Sequence, residues 1–417
     1  MAESGLRHYL IITLVYWAFT ITDGAIHMLV VLHFHQLGYA PLSIAFLFLF
    51  YEVFGIITNG VGGYVAARIG LNTTMNLGVV MQITALAMLA VDPSWLSTPY
   101  VMTWMAVSGM AKDLNKMSAK SSVKLMAPEG QDSKLFKWVA ILTGSKNALK
   151  GAGFFLGGVL LGVGGFQFAL LLLASLLVPA LLAAMILLPK AMGKSSTKAK
   201  FSQFFSKTPE INALSAARFF LFGSRDVWFT VGLPVFLSSV AGWAHAEVGT
   251  FLAAWVIGYG LVQASAPGLL GGQKDTNGAD RGPDGGSARL WAFLLAILPA
   301  GIALGLMQGW PPSLVLIVGL LFFGVVFAIN SSVHSFLILL YSDRDKVAMN
   351  VGFYYMANAA GRLTGTVLSG WMYQIQGLEG CLWVSTALVM LAWLSSLKLP
   401  NHEQWMERRK EMNSTAS

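Results

Sequence analysis

The chain has 417 residues, of which 56% are hydrophobic and 11% charged, against roughly 25% charged in an ordinary soluble domain, and this excludes a soluble globular protein of its size. A formal net charge of +8 on so apolar a chain reads as Lys and Arg gathered in the cytoplasmic loops of a membrane protein rather than as a nucleic-acid surface. The single cysteine, Cys381, excludes a disulfide framework and any Cys-based zinc or iron–sulfur site.

About 20 apolar residues cross a bilayer, and a dozen such stretches follow one another. Their cores run Tyr9 to Leu32, Leu42 to Ala67, Met75 to Val91, Tyr100 to Lys120, Leu135 to Val163 and Phe166 to Leu188. After a hydrophilic break they continue with Ile211 to Val240, Val248 to Leu270, Leu290 to Met307, Leu314 to Leu340, Val347 to Tyr373 and Leu382 to Leu397. The first stretch is long, carries Asp23 and His27 and lacks a small-residue cleavage site, so it reads as a span and not as a cleaved signal. The expected fold is all-α, a polytopic membrane protein with twelve transmembrane helices in two six-helix halves. Residues 1–189 form the first bundle, 190–208 a cytoplasmic linker, 209–400 the second bundle and 401–417 a cytoplasmic tail.

Orientation follows from the loops. Basic residues from Arg7, Arg68, Lys124 and Lys134 through the linker lysines to Arg344, Lys398 and Arg408 all fall on one side of a twelve-span path. The opposite loops, around Gly38, Asp92 to Ser97, Gly164, Gly242 to His245, Gln308 to Ser313 and Gln374 to Gly380, contain none. Both termini are therefore expected in the cytoplasm.

After the second span, Gly63-Tyr64-Val65-Ala66-Ala67-Arg68-Ile69-Gly70 carries two glycines and an arginine. The pair Gly62-Gly63 with Arg68 recurs about 210 residues later as Gly271-Gly272 with Arg281, and Asp23 has a counterpart at Asp226. Two such halves resemble the parallel repeat of major facilitator carriers, whose substrate site lies near the midplane. The resemblance implies a gating loop at Gly63, Arg68 and Gly70, with Ala67 where that family usually has Asp.

Ionisable residues inside the spans carry the functional signal, since each costs about 2.5–3.5 kcal/mol at mid-helix. Lys112 and Lys116 lie four residues apart in the fourth span with Lys120 beyond them, Lys146 and Lys150 repeat that spacing in the fifth, and Arg218, Arg225 and Arg362 stand in the seventh and eleventh. Residues four apart share a helix face about 6 Å apart. The acids at comparable depth are Asp23, Glu52, Asp113 and Asp226, so basic residues are in excess. Asp113 with Lys116 and Arg225 with Asp226 suit structural pairing, but the surplus suits a cavity for an anion, where flexible Lys and forked Arg hold phosphate and carboxylate groups. The candidate ligands are Lys112, Lys116, Lys146, Lys150, Arg218, Arg225 and Arg362, with Asn115 and Asn330 beside them.

Asp23, His27, Glu52 and Asp226 are candidates for proton coupling, Glu52 if burial raises its pKa. His27 and His334 read equally well as hydrogen-bonded packing residues. The Gly-rich run from Gly151 to Gly165 reads as close helix packing, and Trp95, Trp243 and Trp310 as interface anchors. No phosphate-binding Gly-rich loop ending in Lys-Ser/Thr, HExxH or nucleophile elbow is present, so neither an enzyme nor a cofactor or metal requirement is expected.

Three runs are similar to one family in particular: Tyr16-Trp17-Ala18-Phe19-Thr20-Ile21-Thr22-Asp23-Gly24-Ala25, Leu32-His33-Phe34-His35-Gln36-Leu37-Gly38-Tyr39, and Ala111-Lys112-Asp113-Leu114-Asn115-Lys116-Met117-Ser118-Ala119-Lys120-Ser121-Ser122-Val123-Lys124. They resemble the ArsJ organoarsenical efflux permeases, from about Tyr9 to Leu399. The resemblance implies a bacterial inner-membrane exporter of 1-arseno-3-phosphoglycerate conferring arsenate resistance. It also implies a functional link to glyceraldehyde-3-phosphate dehydrogenase, which makes that product when arsenate replaces phosphate. A monomer embedded in lipid, with a small anionic substrate and no nucleic acid, is the expected state. A carrier for a phosphorylated metabolite such as a sugar phosphate shares the basic cavity, and a general drug exporter is a second alternative that calls for an apolar one.

Overall fold

The computed structural model describes residues 2–39, 44, 46–128, 130–189, 192–194, 207–243, 245–270, 273–274 and 280–408. Most of the expected linker at 190–208, the tail beyond 408 and the pair Gly271 and Gly272 lie outside the described residues.

Among the described residues there are eleven α-helices. They are α1 (Ala2–Gln36), α2 (Leu49–Ile69), α3 (Leu71–Leu89), α4 (Thr98–Met126), α5 (Asp132–Leu187), α6 (Pro209–Phe229), α7 (Gly232–Ser239), α8 (His245–Leu270), α9 (Gly285–Met307), α10 (Pro312–Leu340) and α11 (Val347–Ser396). Short 3₁₀ turns at Pro93–Trp95 and Arg344–Lys346 and a two-stranded antiparallel hairpin, Gln273–Lys274 with Asp280–Arg281, complete the order.

Two of these helices are double legs. Inside α5 the chain reverses at Gly165 with φ +76°, and inside α11 at Gly377 with φ +66°, a conformation that a Cβ would strain. The seventh span is broken instead: α6 ends at Phe229 and α7 begins at Gly232, and the freed amides of Val231 and Gly232 both donate to Ser369 Oγ at 3.2 and 3.1 Å. With α5 and α11 each counted as two legs and α6–α7 as one, the described helices supply the twelve spans of the expected fold. By length and apolar composition alone seven segments qualify as spans among the described residues, both double-length helices included, and Thr98–Met126 does not because Lys112, Asp113, Asn115, Lys116 and Lys120 interrupt it.

The chain forms two compact units. The first comprises Met1–Glu129, Ser145–Ser206 and Ser342–Met356. Its centre is α4, against which α1, α2 and α3 pack, so the most polar helix is also the most enclosed. Helices α1 and α5 meet backbone to backbone: a Cβ on Gly24 would lie 2.4 Å from Lys150 O, one on Gly153 2.3 Å from Ile21 O and one on Gly157 2.6 Å from Ala25 O. The Gly-rich run therefore packs helices, as small residues do where lipid supplies no hydrophobic drive between them.

The second unit comprises Gly130–Gly144, Lys207–Tyr341 and Ala357–Ser417. Here α10 packs on α8 and α9 around an aromatic core of Phe222, Trp228, Trp255, Phe323 and Phe327. Beyond α11 the chain folds back onto the helix ends of this unit. Gly285 N and Tyr341 OH donate to Pro400 O at 3.1 and 3.3 Å, His402 N donates to Asp284 Oδ2 at 3.1 Å, Trp405 meets Tyr341 edge to face and Arg408 pairs with Glu210. Asp284 also caps α9 through the Ser287 amide at 3.0 Å and pairs with Arg281 at 2.8 Å. Burial pushes the Asp284 carboxyl up, but the donors from Ser287, Arg281 and His402 outweigh it and hold the group below its ordinary range.

Candidate functional site

Each unit contains a cluster of intramembrane charge, and in both one buried carboxylate is shared by two cations. In the first unit Asp113, 3% exposed, pairs with Lys116 three residues on and lies 3.7 Å from Lys112. Asp23, 2% exposed, accepts a hydrogen bond from Tyr51 OH at 2.6 Å and lies 3.3 Å from Lys150 Nζ. The Lys112 ammonium sits 3.9 Å over the Tyr51 ring, which joins the two acids into one network, and a desolvated cation over an aromatic face gains about 2 kcal/mol. Below it, Lys116 and Lys120 lie 4.7 and 4.9 Å from the centroid of the Tyr355 ring, and Lys120 Nζ is 2.5 Å from Tyr355 OH. Lys146 is half-buried in the same network and forms no ion pair or hydrogen bond with a described residue.

The other first-unit candidates are less central. His27 contacts the Asp23 carbonyl at 2.9 Å and is held between Phe48 and Tyr51, a packing position. Glu52, a coupling candidate on condition of burial, is exposed in the first turn of α2, within electrostatic reach of Tyr51 and Asp113. Asn115 is fully buried near Gly78 of α3, and its side-chain amide has no partner among the described residues.

In the second unit Asp226 accepts from Arg225 Nε at 2.6 Å with one oxygen and from Arg362 Nε at 3.0 Å with the other. Arg225 is 15% exposed and Arg362 43%, so Arg362 presents the more accessible fork. Arg218 is different. Its guanidinium donates to Asn358 Oδ1 at 2.9 Å and to Ser331 Oγ and O at 2.9 and 3.2 Å, and lies 4.0 Å over the Phe222 ring. Tyr259 OH and Gln263 Nε2 reach the same Ser331 hydroxyl at 3.1 Å each. Asn330 and His334, one turn apart on α10, are fully buried with no hydrogen-bond partner among the described residues.

In the loop after α2, the expected gating residues separate into two roles. A Cβ on Gly63 would lie 2.8 Å from Ala348 O and 3.2 Å from Gly352 Cα, so this glycine permits the crossing of α2 with the first turns of α11 within the first unit. Gly70 turns the chain directly from α2 into α3. Arg68 is exposed and stacks over Tyr64 at 5.0 Å, while Ala67, at the position of the missing Asp, is buried.

The sequence reading did not single out Tyr51, Tyr355, Asn358 or Ser331. All are ordinary residues of apolar or mixed helices, and only their meeting with a distant cation gives them a role.

The sequence matches the model of the Major Facilitator Superfamily over residues 9–274. No curated protein matches it. Among solved structures, it is similar to a bacterial homologue of the iron transporter ferroportin in an outward-facing state, with a TM-score of 0.75 and 17% identity over 96% of this chain and 100% of that one. It is also similar to the human organic anion transporter MFSD10, with a TM-score of 0.72 and 15% identity over 94% and 98% of the two chains. The proton:xylose symporter XylE aligns with a TM-score of 0.70 and 14% identity over 94% and 95%. At these identities the likeness carries the fold alone. With well over half of its sequence in the family model, and its helices in the arrangement of solved transporters, the chain belongs to the Major Facilitator Superfamily and is a multi-pass membrane transporter.

Proposed function

We propose that this transporter exports a small organic polyanion, 1-arseno-3-phosphoglycerate, and thereby confers arsenate resistance. The carrying observation is the excess of intramembrane cations: Lys112, Lys116, Lys120, Lys146 and Lys150 against Asp23, Asp113 and Glu52 in one unit, and Arg218, Arg225 and Arg362 against Asp226 in the other. Charges held in a membrane without equal counter-charge are costly, and an anionic cargo offsets that cost. In this reading the lysine cluster is one anion-binding group and the Arg225–Arg362 pair a second, with Arg218 supporting the second cluster from its Ser331–Asn358 network. The same excess repels a metal cation such as the iron named for the ferroportin homologue. The three sequence runs that resemble the ArsJ permeases favour the arsenate-bearing substrate among polyanions.

The driving force follows from charge. Export of about three negative charges from an interior-negative cell gains roughly 7 kcal/mol per 100 mV, so uniport is sufficient and no coupling ion is needed. Asp23, Asp113 and Asp226 then position cations and need not carry protons. The transporter would lie in the bacterial cytoplasmic membrane with both termini inside, as a monomer, supplied by glyceraldehyde-3-phosphate dehydrogenase.

The test is arsenate resistance in cells co-expressing the dehydrogenase. Lys112→Gln and Arg225→Gln should each abolish resistance while the protein remains in the membrane. Unchanged resistance in either variant contradicts the two-cluster reading. A sugar-phosphate carrier is supported by the same cations, and is distinguished by competition: sugar phosphates would then block transport of the arsenylated product.

A further inference from the structure

We propose that Tyr16 is a substrate-binding residue, its hydroxyl and the Lys146 ammonium together receiving one tetrahedral oxyanion group, a phosphate or arsenate ester, in the first unit. This deepens the polyanion reading and rests on it.

Tyr16 is 2% exposed, and its hydroxyl is buried without a hydrogen-bond partner among the described residues. Buried hydroxyls are bonded in the large majority of cases. Where the hydroxyl bonds to nothing in the protein, phenylalanine would pack equally well without the desolvation cost. The position is informative because Tyr16 lies seven residues before Asp23, two turns away on the same face of α1. It is within electrostatic reach of Tyr355, Asp23 and Asp113, so the ring belongs to the wall of the lysine network.

Lys146 is the complementary group. Asp113 holds Lys112 and Lys116, Asp23 holds Lys150, and Tyr355 OH meets Lys120. Lys146, half-buried and within electrostatic reach of Lys116, Lys150, Lys112 and Asp23, makes no ion pair or hydrogen bond with a described residue. Chain neighbours fix its level against Tyr16, since Trp17 Nε1 donates to Ser145 Oγ at 2.8 Å and α1 and α5 touch at Gly24 and Gly153. The two functional residues therefore extend from adjacent positions of a locked helix pair.

A phenol and an ammonium are both donors, and a donor pair without an internal acceptor fits an anion. The charge favours a tetrahedral group over a carboxylate. Five lysines against three carboxylates, Glu52 included, leave two positive charges, which suits a phosphate ester of about −1.5 to −2 better than a single carboxylate charge. A tetrahedral group also has enough terminal oxygens to accept from both donors.

The test is binding to the purified full-length transporter with three probes: glycerol 3-phosphate, glycerate and 3-phosphoglycerate. Tyr16→Phe should weaken both phosphate-bearing probes about tenfold, the loss of a hydrogen bond to a charged group, leave glycerate unchanged, and keep or raise the melting temperature. Lys146→Gln should weaken the phosphate-bearing probes at least as much. Wild-type affinity in Tyr16→Phe overturns this inference and leaves the polyanion reading standing. Equal weakening of glycerate, or a lowered melting temperature with all probes weakened alike, overturns it by making Tyr16 a packing residue. A wild-type protein that binds none of the probes overturns both.

Discussion

Asp226 gives the most quantitative test of how the charges are held. Asp226→Asn keeps the volume and removes one charge from between two arginines. Removing one partner from a buried pair costs about 3–5 kcal/mol, because the other charge is stranded, whereas an exposed pair is worth about 0–1 kcal/mol. With Arg225 15% exposed and Arg362 43% exposed, the first arginine falls in the former class and the second in the latter. The substitution should therefore cost about 3–5 kcal/mol, nearly all of it through Arg225. Arg362→Gln should cost about 1 kcal/mol or less in stability. The double variant Asp226→Asn/Arg225→Gln should recover part of the loss, since it removes the stranded charge with its partner. Chemical unfolding of the purified protein in one detergent, all variants side by side, reads these differences. An Asp226→Asn protein as stable as the wild type, or a double variant worse than the sum of the singles, refutes the shared-carboxylate account.

Gly153→Ala should destabilise the first unit by about 1–3 kcal/mol, because its Cβ would lie 2.3 Å from Ile21 O and 3.1 Å from Ala25 N, both backbone. Gly158→Ala, whose nearest neighbour is Leu32 Cδ1 at 3.8 Å, is the neutral control in the same unfolding assay. Tyr51→Phe should cost about 1.5–3 kcal/mol by removing the hydroxyl that donates to the Asp23 carboxylate, and a value near zero would mean that Lys150 alone holds the acid. Asp284 sets a pH dependence outside the spans. Its folded pKa is lowered, so its contribution is complete above the unfolded value of about 3.9 and is lost as pH falls through the folded value. Protection factors of the amides of residues 400–408, taken relative to intrinsic exchange at each pH, should be high at pH 5–8 and fall in acid, whereas Asp284→Asn should already have low protection at neutral pH that varies little between pH 5 and 3.

The twelve spans were legible because apolar length is a one-dimensional property, and the lysine stripes were legible because four-residue spacing is local. The break between Phe229 and Gly232 was passed over within a continuous apolar stretch, although Gly232 and Pro234 are local breakers, the proline lacking the amide that would reach the Thr230 carbonyl; the Ser369 hydroxyl that receives the freed amides of Val231 and Gly232 stands 138 and 137 residues away. Arg218 shows the same limit more sharply. In sequence it is another intramembrane cation, and only Ser331 and Asn358, 113 and 140 residues distant, reveal that its donors are engaged within the protein. Glu52 was a coupling candidate only on condition of burial, and periodicity does not say which face of α2 meets a neighbour; Glu52 is exposed. Tyr16 stood within a recognisable run, yet nothing local indicated that its hydroxyl would be buried without a bond.

Uptake into everted membrane vesicles tests the central claim most directly. Vesicles containing the transporter, given glyceraldehyde-3-phosphate dehydrogenase, glyceraldehyde 3-phosphate, NAD+ and arsenate, should accumulate arsenic and 3-phosphoglycerate together. The rate should rise with an interior-positive potential and be unaffected by collapse of the pH gradient. No accumulation of arsenic in vesicles holding the folded protein, with the complete mixture present, would contradict the account.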